Sequence, residues 1–597
     1  MSGLLHIPLE ALSEITTPRC LLILGALGVL SHRLYFIRGE HHLQAPTYLK
    51  VWVFTSIALA ATVYLGDTLQ LQYDQAQASF DALRILGLLN LSYFGPLFTS
   101  VVIYRVFEHR LKDFDGPRLA AATKLWHFWN ILFTSNNRLL DQLHHKYGRI
   151  IRTGPQELTI IDPNVWEAIA GPKTSCIKSP WYDMLHPYVA MNSIRTKDGY
   201  APRRKRWDEA LGLSAIYVPD KEIRIQHYAQ QLLRHIKSSG NRPINVTTWY
   251  HHFAFDFVGE LAFGQSFGLT DDPTMSTTTK ELAEVPKLVS QGVGMLRFFT
   301  PLPWIGQLCF SYAPYLPLVS KNWNKAMSWA ARTCDSRLAR FAGNSKEASI
   351  DIVSGQGDAF SRFIRQAARD NDLKSLDRHA LYGDAYVITV AGSHTTALTL
   401  TMISYELARR PELQKKLREE VAASGAVRPH PDGDMRCEKL DVATIDKLPF
   451  LNGCINESLR LYPAVPTGGI KQTTDKSIMV GDKVIPPQTV IVAPRWSIGR
   501  MESSFEHASE FIPERWTTQP HLVKDARGLN GFGIGRHQCP GKQLGTTEIR
   551  MVLAMVVSNF EWKFSPDEKN PTSVADEYLD SYTARAGALN LIFTPLH

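Results

Sequence analysis

The sequence has no C-x-x-C pair among its seven cysteines, at positions 20, 176, 309, 334, 437, 454 and 539. That excludes the paired spacings of structural zinc sites and the framework of a disulfide-rich secreted scaffold, and it points to a reducing compartment. There is no internal repeat and no low-complexity linker after about residue 120, so a repeat array is excluded. Basic residues are dispersed except for Arg203-Arg204-Lys205-Arg206, and a net charge of +8 over 597 residues is modest. A nucleic-acid-binding surface therefore has little support. With 44% hydrophobic and 20% charged residues the bulk is globular, which leaves one large domain behind an N-terminal extension as the simplest organisation.

That extension is the apolar part of the chain. Ile85 to Tyr104 carries no charged residue and is long enough to cross a bilayer. Residues 18-36 and 49-66 are shorter candidate spans beside 85-104. Arg33, Arg38 and Lys50 follow the first, and Arg105, Arg110 and Lys112 follow the third. The loop between the second and third has Asp67, Asp74 and Asp81 against Arg84 alone. The positive-inside rule then places residues 32-50 and everything after 105 in the cytosol. Glu10 and Glu14 precede the first run and no basic n-region exists, which disfavours a cleavable signal peptide. Residues 1-110 are expected to be a multi-pass membrane region, and 111-597 a cytosolic catalytic domain.

Near the C-terminus stands Gly531-Phe532-Gly533-Ile534-Gly535-Arg536-His537-Gln538-Cys539-Pro540-Gly541, followed by the apolar run Leu544 to Val556. It reads as a tight loop delivering one thiol to the start of a helix, with Cys539 at the N-cap and Pro540 at the first helical position. A helix N-terminus lowers a thiol pKa and favours the metal-binding thiolate. Flanking glycines let backbone amides turn inward and let a flat ligand approach. One isolated thiolate suits a haem iron better than zinc. The G-x-G-x-x-G register of a dinucleotide loop fails at Arg536. The bland alternative is a glycine-rich turn before a core helix with an inert cysteine.

This stretch resembles the haem-binding loop of the cytochrome P450 family, F-x-x-G-x-[R/H]-x-C-x-G, matched at Phe532, Gly535, His537, Cys539 and Gly541. The resemblance implies Cys539 as axial ligand of the iron of haem b, Phe532 beside the sulfur, and His537 reaching a haem propionate. Thiolate ligation pushes electron density onto iron. Ala391-Gly392-Ser393-His394-Thr395-Thr396, inside the apolar stretch 380-407, resembles the family's A-G-x-[D/E]-T-T. That makes Thr395 the hydroxyl that steadies dioxygen and passes protons. His394 replaces the acid; histidine can carry protons near neutral pH, or it is simply a hydrogen-bonded core residue. The relay reading predicts that His394→Asp preserves turnover and improves coupling of NADPH use to product.

Glu457-Ser458-Leu459-Arg460 and Pro513-Glu514-Arg515-Trp516 resemble the family's E-x-x-R and P-E-R-W, implying a buried, paired scaffold of Glu457, Arg460 and Arg515. In the basic helix read over Arg203 to Leu213, Trp207 matches half of a W-x-x-x-R propionate contact. Position 211 is leucine, so Arg203 or Arg206 would have to supply the charge; the same arginines also read as a solvated face or a docking site for an acidic electron donor. Lys471 stands where relatives carry a propionate-binding arginine or histidine. Phe114-Asp115-Gly116-Pro117 reads as a stiff hinge, and residues 147-161 as a β-hairpin. Residues 286-319, rich in Phe, Pro, Leu and Trp, read equally as a substrate lid or as core.

The implied fold is mainly α with a small antiparallel β-region, haem lying between the 380-407 and 539-556 helices, preceded by transmembrane helices. The implied reaction is monooxygenation of a hydrophobic small molecule, with dioxygen as co-substrate and electrons from NADPH through a separate cytochrome P450 reductase. Secondary metabolism at the endoplasmic reticulum is the expected setting, with membrane lipid as a further partner and no nucleic acid. Two other readings stay open: a haem-thiolate isomerase or dehydratase independent of dioxygen, and a non-catalytic haem-binding sensor.

Overall fold

The structure, a computed structural model, describes residues 16–69, 75–211, 219–271, 280–312, 315, 317–343, 358–369, 377–429, 437–566 and 572–596. Glu10, Glu14, Asp74, Leu213 and positions 313, 314 and 316 of the proposed lid lie outside the described residues. Three apolar helices come first: α1 (Pro18–Leu30), α2 (Ala45–Leu69) and α3 (Gln75–Ile103). With their extensions, each is long and apolar enough to cross a membrane. Thr17 caps α1 by accepting from Cys20 N, with Pro18 at the first helical position. Gly28 lets α3 come close, since a Cβ there would lie 2.3 Å from the Tyr93 carbonyl. The hinge at residues 114–117 is pinned, not loose. Arg152 N donates to Asp115 O at 2.7 Å, and a Cβ on Gly116 would meet the Arg152 carbonyl at 2.4 Å.

Around the hinge lies the principal sheet. Strands β1 (Ile150–Gly154) and β2 (Glu157–Ile160) form the expected antiparallel hairpin. The sheet continues to β5 (Val490–Val492), β4 (Lys471–Gln472) and β3 (Ile177–Lys178), in the order β1-β2-β5-β4-β3. All pairs are antiparallel except β2 with β5, which is parallel. A smaller sheet joins Phe560–Phe564, Asn590–Pro595 and Ile244–Asn245.

The rest of the described chain is mostly helical, and the elements used below are α4 (Lys197–Leu211), α5 (Val246–Phe263), α6 (Lys280–Phe299), α7 (Pro303–Tyr312), α8 (Arg378–Arg409), α9 (Pro449–Leu461) and α10 (Lys542–Asn559). Helix α8 is also long and apolar enough to span a membrane, but most of its residues are buried in the protein. It runs through the larger core between α5 and α10. Five of its hydroxyls are satisfied within the helix, Thr389, Ser393, Thr395, Thr399 and Thr401 each donating to the carbonyl four residues back at 2.5 to 2.9 Å, while Thr396 donates to Glu548 of α10 and Ser404 bonds Tyr250 of α5. Gly392 admits α5, because a Cβ there would press within 2.6 Å of Val258. Helix α9 begins with Pro449 at the first position, and the Glu420 carboxylate accepts from Phe450 N and Leu451 N at 2.7 and 2.8 Å.

Candidate active site

The 531–541 loop folds back on itself. Cys539 N donates to Phe532 O at 2.9 Å and Gln538 N to Gly535 O at 3.0 Å. Gly533 and Gly535 have φ of 73° and 65°. A Cβ on Gly535 would lie 1.9 Å from the Ala170 carbonyl, so only glycine fits there. The helix starts later than the spacing suggests. Gly541 is the N-cap and its carbonyl accepts from Gly545 N, while Cys539 and Pro540 form the turn before it, closed by Lys542 N to Cys539 O at 3.4 Å. The placement of Cys539 on the cap is corrected accordingly.

Its thiol is corrected too. Cys539 exposes surface, yet it is surrounded by enough protein that burial pushes the thiol up, against smaller pulls from the Gly541 amide, Arg204 and Lys542. Accessible surface amid heavy shielding fits a group facing an internal recess. A thiol so placed becomes thiolate when a cation takes the proton's place.

Beside the loop, two lysines and a histidine accumulate without a carboxylate. Lys471 Nζ lies 2.7 Å from His537 Nδ1, which brings two expected cofactor residues together. Lys178, opposite Lys471 on the neighbouring strand, stands 4.4 Å from the Tyr200 ring centroid. Burial, then Arg536, lowers Lys471 to about 7. Burial, then Lys471 and Arg204, holds Lys178 well below the usual lysine range. Burial and the same neighbouring cations lower His537 to about 2. Among the described residues neither lysine makes an ion pair with a carboxylate.

Trp207 does not face this cluster. It is 3% exposed in the main core, and its Nε1 donates to Asp384 Oδ2 at 3.1 Å. Arg203 goes to the same carboxylate, at 2.8 and 2.6 Å. The residues of α4 that meet the loop are Tyr200 and Arg204. The Tyr200 ring is 4.7 Å from that of His537 and its hydroxyl donates to Arg536 O at 3.0 Å. Arg204 donates to Tyr200 Oη, Arg536 O and Gln538 O, and pairs with Asp208. Tyr200-x-x-x-Arg204 has the aromatic-to-cation spacing sought at 207 and 211, seven residues earlier, and so presents the same face of the helix two turns nearer its start. Trp207 and Arg203 are thus committed to Asp384, and the residues of α4 beside the loop are Tyr200 and Arg204 where Trp207 with Arg203 or Arg206 was expected. Lys178 had no signal in the sequence.

On α8, Thr395 Oγ1 donates to Ala391 O at 2.7 Å. Ala391 is exposed although most of the helix beyond it is buried. His394 is buried in a pocket of α5 and α6. Its Nε2 is 3.1 Å from Ser290 Oγ, its Nδ1 3.3 Å from Ser393 Oγ, and the His251 and Phe255 rings stand edge-on at 5.1 and 5.3 Å. Burial, then Arg585, lowers its pKa to about 4. The ring is therefore neutral at pH 7, below the range in which it would cycle through its charged form.

Glu457, Arg460 and Arg515 meet with no side-chain exposure. Arg460 grips Glu457 through Nε and Nη2 at 2.9 and 2.6 Å, and Arg515 Nε adds 2.8 Å. Trp516 Nε1 and Ile512 N complete the carboxylate's partners at 2.9 and 3.0 Å. The guanidiniums also donate to the carbonyls of Gly499, Glu510, Glu506 and His507. This node ties α9 to the segment leading into the loop.

A family model described as cytochrome P450 matches residues 120–582. The chain belongs to the cytochrome P450 family. It is 32% identical to cytochrome P450 monooxygenase FCK2 of Fusarium pseudograminearum, over 95% of this chain and 96% of that one. Cytochrome P450 monooxygenase notG' of Aspergillus versicolor is also 32% identical, over 92% and 93%. A tryprostatin B 6-hydroxylase of Aspergillus fumigatus is 31% identical, over 91% of each chain. The family implies haem, and this P450's residues fit it. Cys539 offers an accessible thiol, and the unpaired Lys178 and Lys471 suit the carboxylates that haem carries at one edge.

Proposed function

We propose that this cytochrome P450 is a monooxygenase of secondary metabolism, acting on a hydrophobic small molecule with haem b held by Cys539. One atom of dioxygen enters a substrate C–H bond and the other leaves as water. Two electrons from NADPH, delivered by a separate cytochrome P450 reductase, and two protons complete the balance. Bound haem supplies the activation of dioxygen; the chain supplies position, charge and protons. Cys539 would hold the haem iron through its sulfur. Lys178, Lys471, His537, Tyr200 and Arg204 hold the propionate edge, where a buried anion removes the cost of crowded cations. Phe532, Gly535 and Gly541 shape the loop that carries the sulfur. Thr395 holds a hydroxyl at the exposed stretch of α8, with its proton parked on Ala391 O until a better acceptor arrives. His394, neutral and set between two serines, passes protons by exchanging the nitrogen that carries hydrogen.

Residues 1-110 form the membrane region and 111-597 the catalytic domain, with α1 to α3 as spans of an endoplasmic-reticulum anchor and the catalytic domain in the cytosol. The observation that carries the reading is the shielded yet accessible thiol beside a buried cluster of unpaired cations. The test is the absorption of the reduced protein with carbon monoxide, followed by turnover with and without NADPH and reductase. A thiolate-type shift and strict dependence on both are expected. A shift with turnover in their absence would favour the isomerase reading. Comparing products with the gene present and deleted identifies the substrate class.

A further inference from the structure

Among the described residues, Glu40, His42 and Asp183 bring three potential ligand atoms within 4.8 Å of one another. Arg195 already occupies the centre of that group. Its Nη1 lies 2.6 Å from both Glu40 Oε2 and Asp183 Oδ2, and its Nη2 2.7 Å from Glu40 Oε1. His42 Nε2 completes the network at 2.9 Å from Asp183 Oδ2. A guanidinium bridging both carboxylates leaves no role for a metal cation. What remains is a clasp between two parts of the chain: Glu40 and His42 come from the turn joining α1 and α2, and Asp183 and Arg195 from the 179–195 loop between β3 and α4.

That loop lies over the functional elements. Arg195 Nε donates to the carbonyl of Lys178 at 2.9 Å, and Nη2 reaches Gln472 Oε1, next to Lys471, at 3.3 Å. Met191 N donates to Asp384 Oδ1 of α8 at 2.6 Å. A Cβ on Gly383 would stand 3.1 Å from the backbone of Tyr188 and Ala190, and one on Gly306 of α7 would press on Met184 at 2.4 Å. On the other side, Tyr312 of α7 donates to Pro46 O at the start of α2. The loop and α7 are thus both moored to the segment between the first two apolar helices.

We propose that the 39–44 turn is a working part of the ligand-access route, with Glu40 and His42 strapping the 179–195 loop closed so that a lipophilic ligand enters only when the strap releases. This rests on the haem-thiolate reading for where the ligand goes, while the strap itself stands on the ion pairs. Burial pushes the Glu40 carboxyl up, but hydrogen bonding and attraction to Arg195 outweigh it and hold the group below its usual value. The pair is charged at neutral pH and bidentate, the geometry that makes an ion pair worth more than an open surface contact.

The experiment uses the full chain in phosphatidylcholine nanodiscs, with Glu40→Asp, Glu40→Gln and Glu40→Lys. Two quantities are read: amide hydrogen exchange of 179–195, and association rates of clotrimazole and of imidazole followed by the haem absorption band. Glu40→Lys is expected to speed exchange in that loop about tenfold and to accelerate clotrimazole severalfold. Glu40→Gln should do less and Glu40→Asp should match the parent; imidazole, small enough to pass a closed loop, should be unaffected. Unchanged exchange in Glu40→Lys overturns the proposal. So does equal acceleration of both ligands, which would report general loosening. If the parent itself lacks a thiolate-type carbon monoxide shift, the functional reading fails, and the exchange series still decides the strap.

Discussion

Two buried clusters of charged groups in this molecule are built to opposite rules. Around Glu457 one carboxylate meets two guanidiniums, and the remaining N–H groups find backbone carbonyls. Around Lys471 two lysines and a histidine press together with no carboxylate to answer them. Desolvating a charge is tolerable only when a partner takes water's place. The first cluster is complete as the chain folds and so serves structure. The second finds no carboxylate among the described residues, which is the basis of the binding role proposed for it.

The sharpest way to break this contrast starts at Cys539, the thiol beside the second cluster. Cys539→Ser should abolish the thiolate-type carbon monoxide shift and turnover while leaving the far-ultraviolet dichroism intact. Next comes Glu457→Gln, which leaves two guanidiniums buried beside a neutral amide. It should cost about 3–5 kcal/mol, seen as a collapse of the denaturation midpoint and of soluble yield.

Lys178→Met should do the reverse in the haem-free protein, raising its stability by ~2 kcal/mol because an uncompensated cation is replaced by an apolar chain of similar length. The same variant should lose haem faster to apomyoglobin. If it destabilises the haem-free chain instead, the two clusters do not differ as described.

A smaller effect comes from His394, a third way to bury a basic group, by keeping it neutral. Its folded pKa of about 4 lies below the ordinary 6.5, so the unfolded chain takes up a proton first as pH falls. Its contribution is fully present above 6.5 and is lost as pH drops towards 4. Between pH 7.5 and 5.5 this amounts to about 1 kcal/mol. His394→Asn should flatten the fall in thermal midpoint by that amount, measured as a difference from the parent because His251 and His127 are lowered as well.

Much of the site is legible where residues act over short, regular distances. Glu457 and Arg460 are three apart on one helix, and that spacing alone brings them within reach. The glycines before Cys539 announce a tight loop, and positive φ at Gly533 and Gly535 is why they are needed. Which turn of a helix meets the loop is not set by spacing: Tyr200 and Trp207 share a face, but Trp207 lies two turns further on, where its indole donates to Asp384 of α8, while Tyr200 and Arg204 meet the loop. Lys178 lies on a strand of two residues with no pattern of its own; its partner Lys471 places it. The helix after the loop starts later than the spacing suggests because glycine, not cysteine, takes the cap.

The sequence by itself determined the family, the partners within each local motif, and three apolar helices long enough for a bilayer, since each depends on composition or on neighbours a few residues apart. Tertiary structure decided which cations crowd together unpaired, that His394 is held neutral, and that Glu40 finds Arg195 across more than a hundred residues of chain. Those outcomes depend on burial and on distances through space, and the energy of a charge is set by what surrounds it once the chain has closed around it.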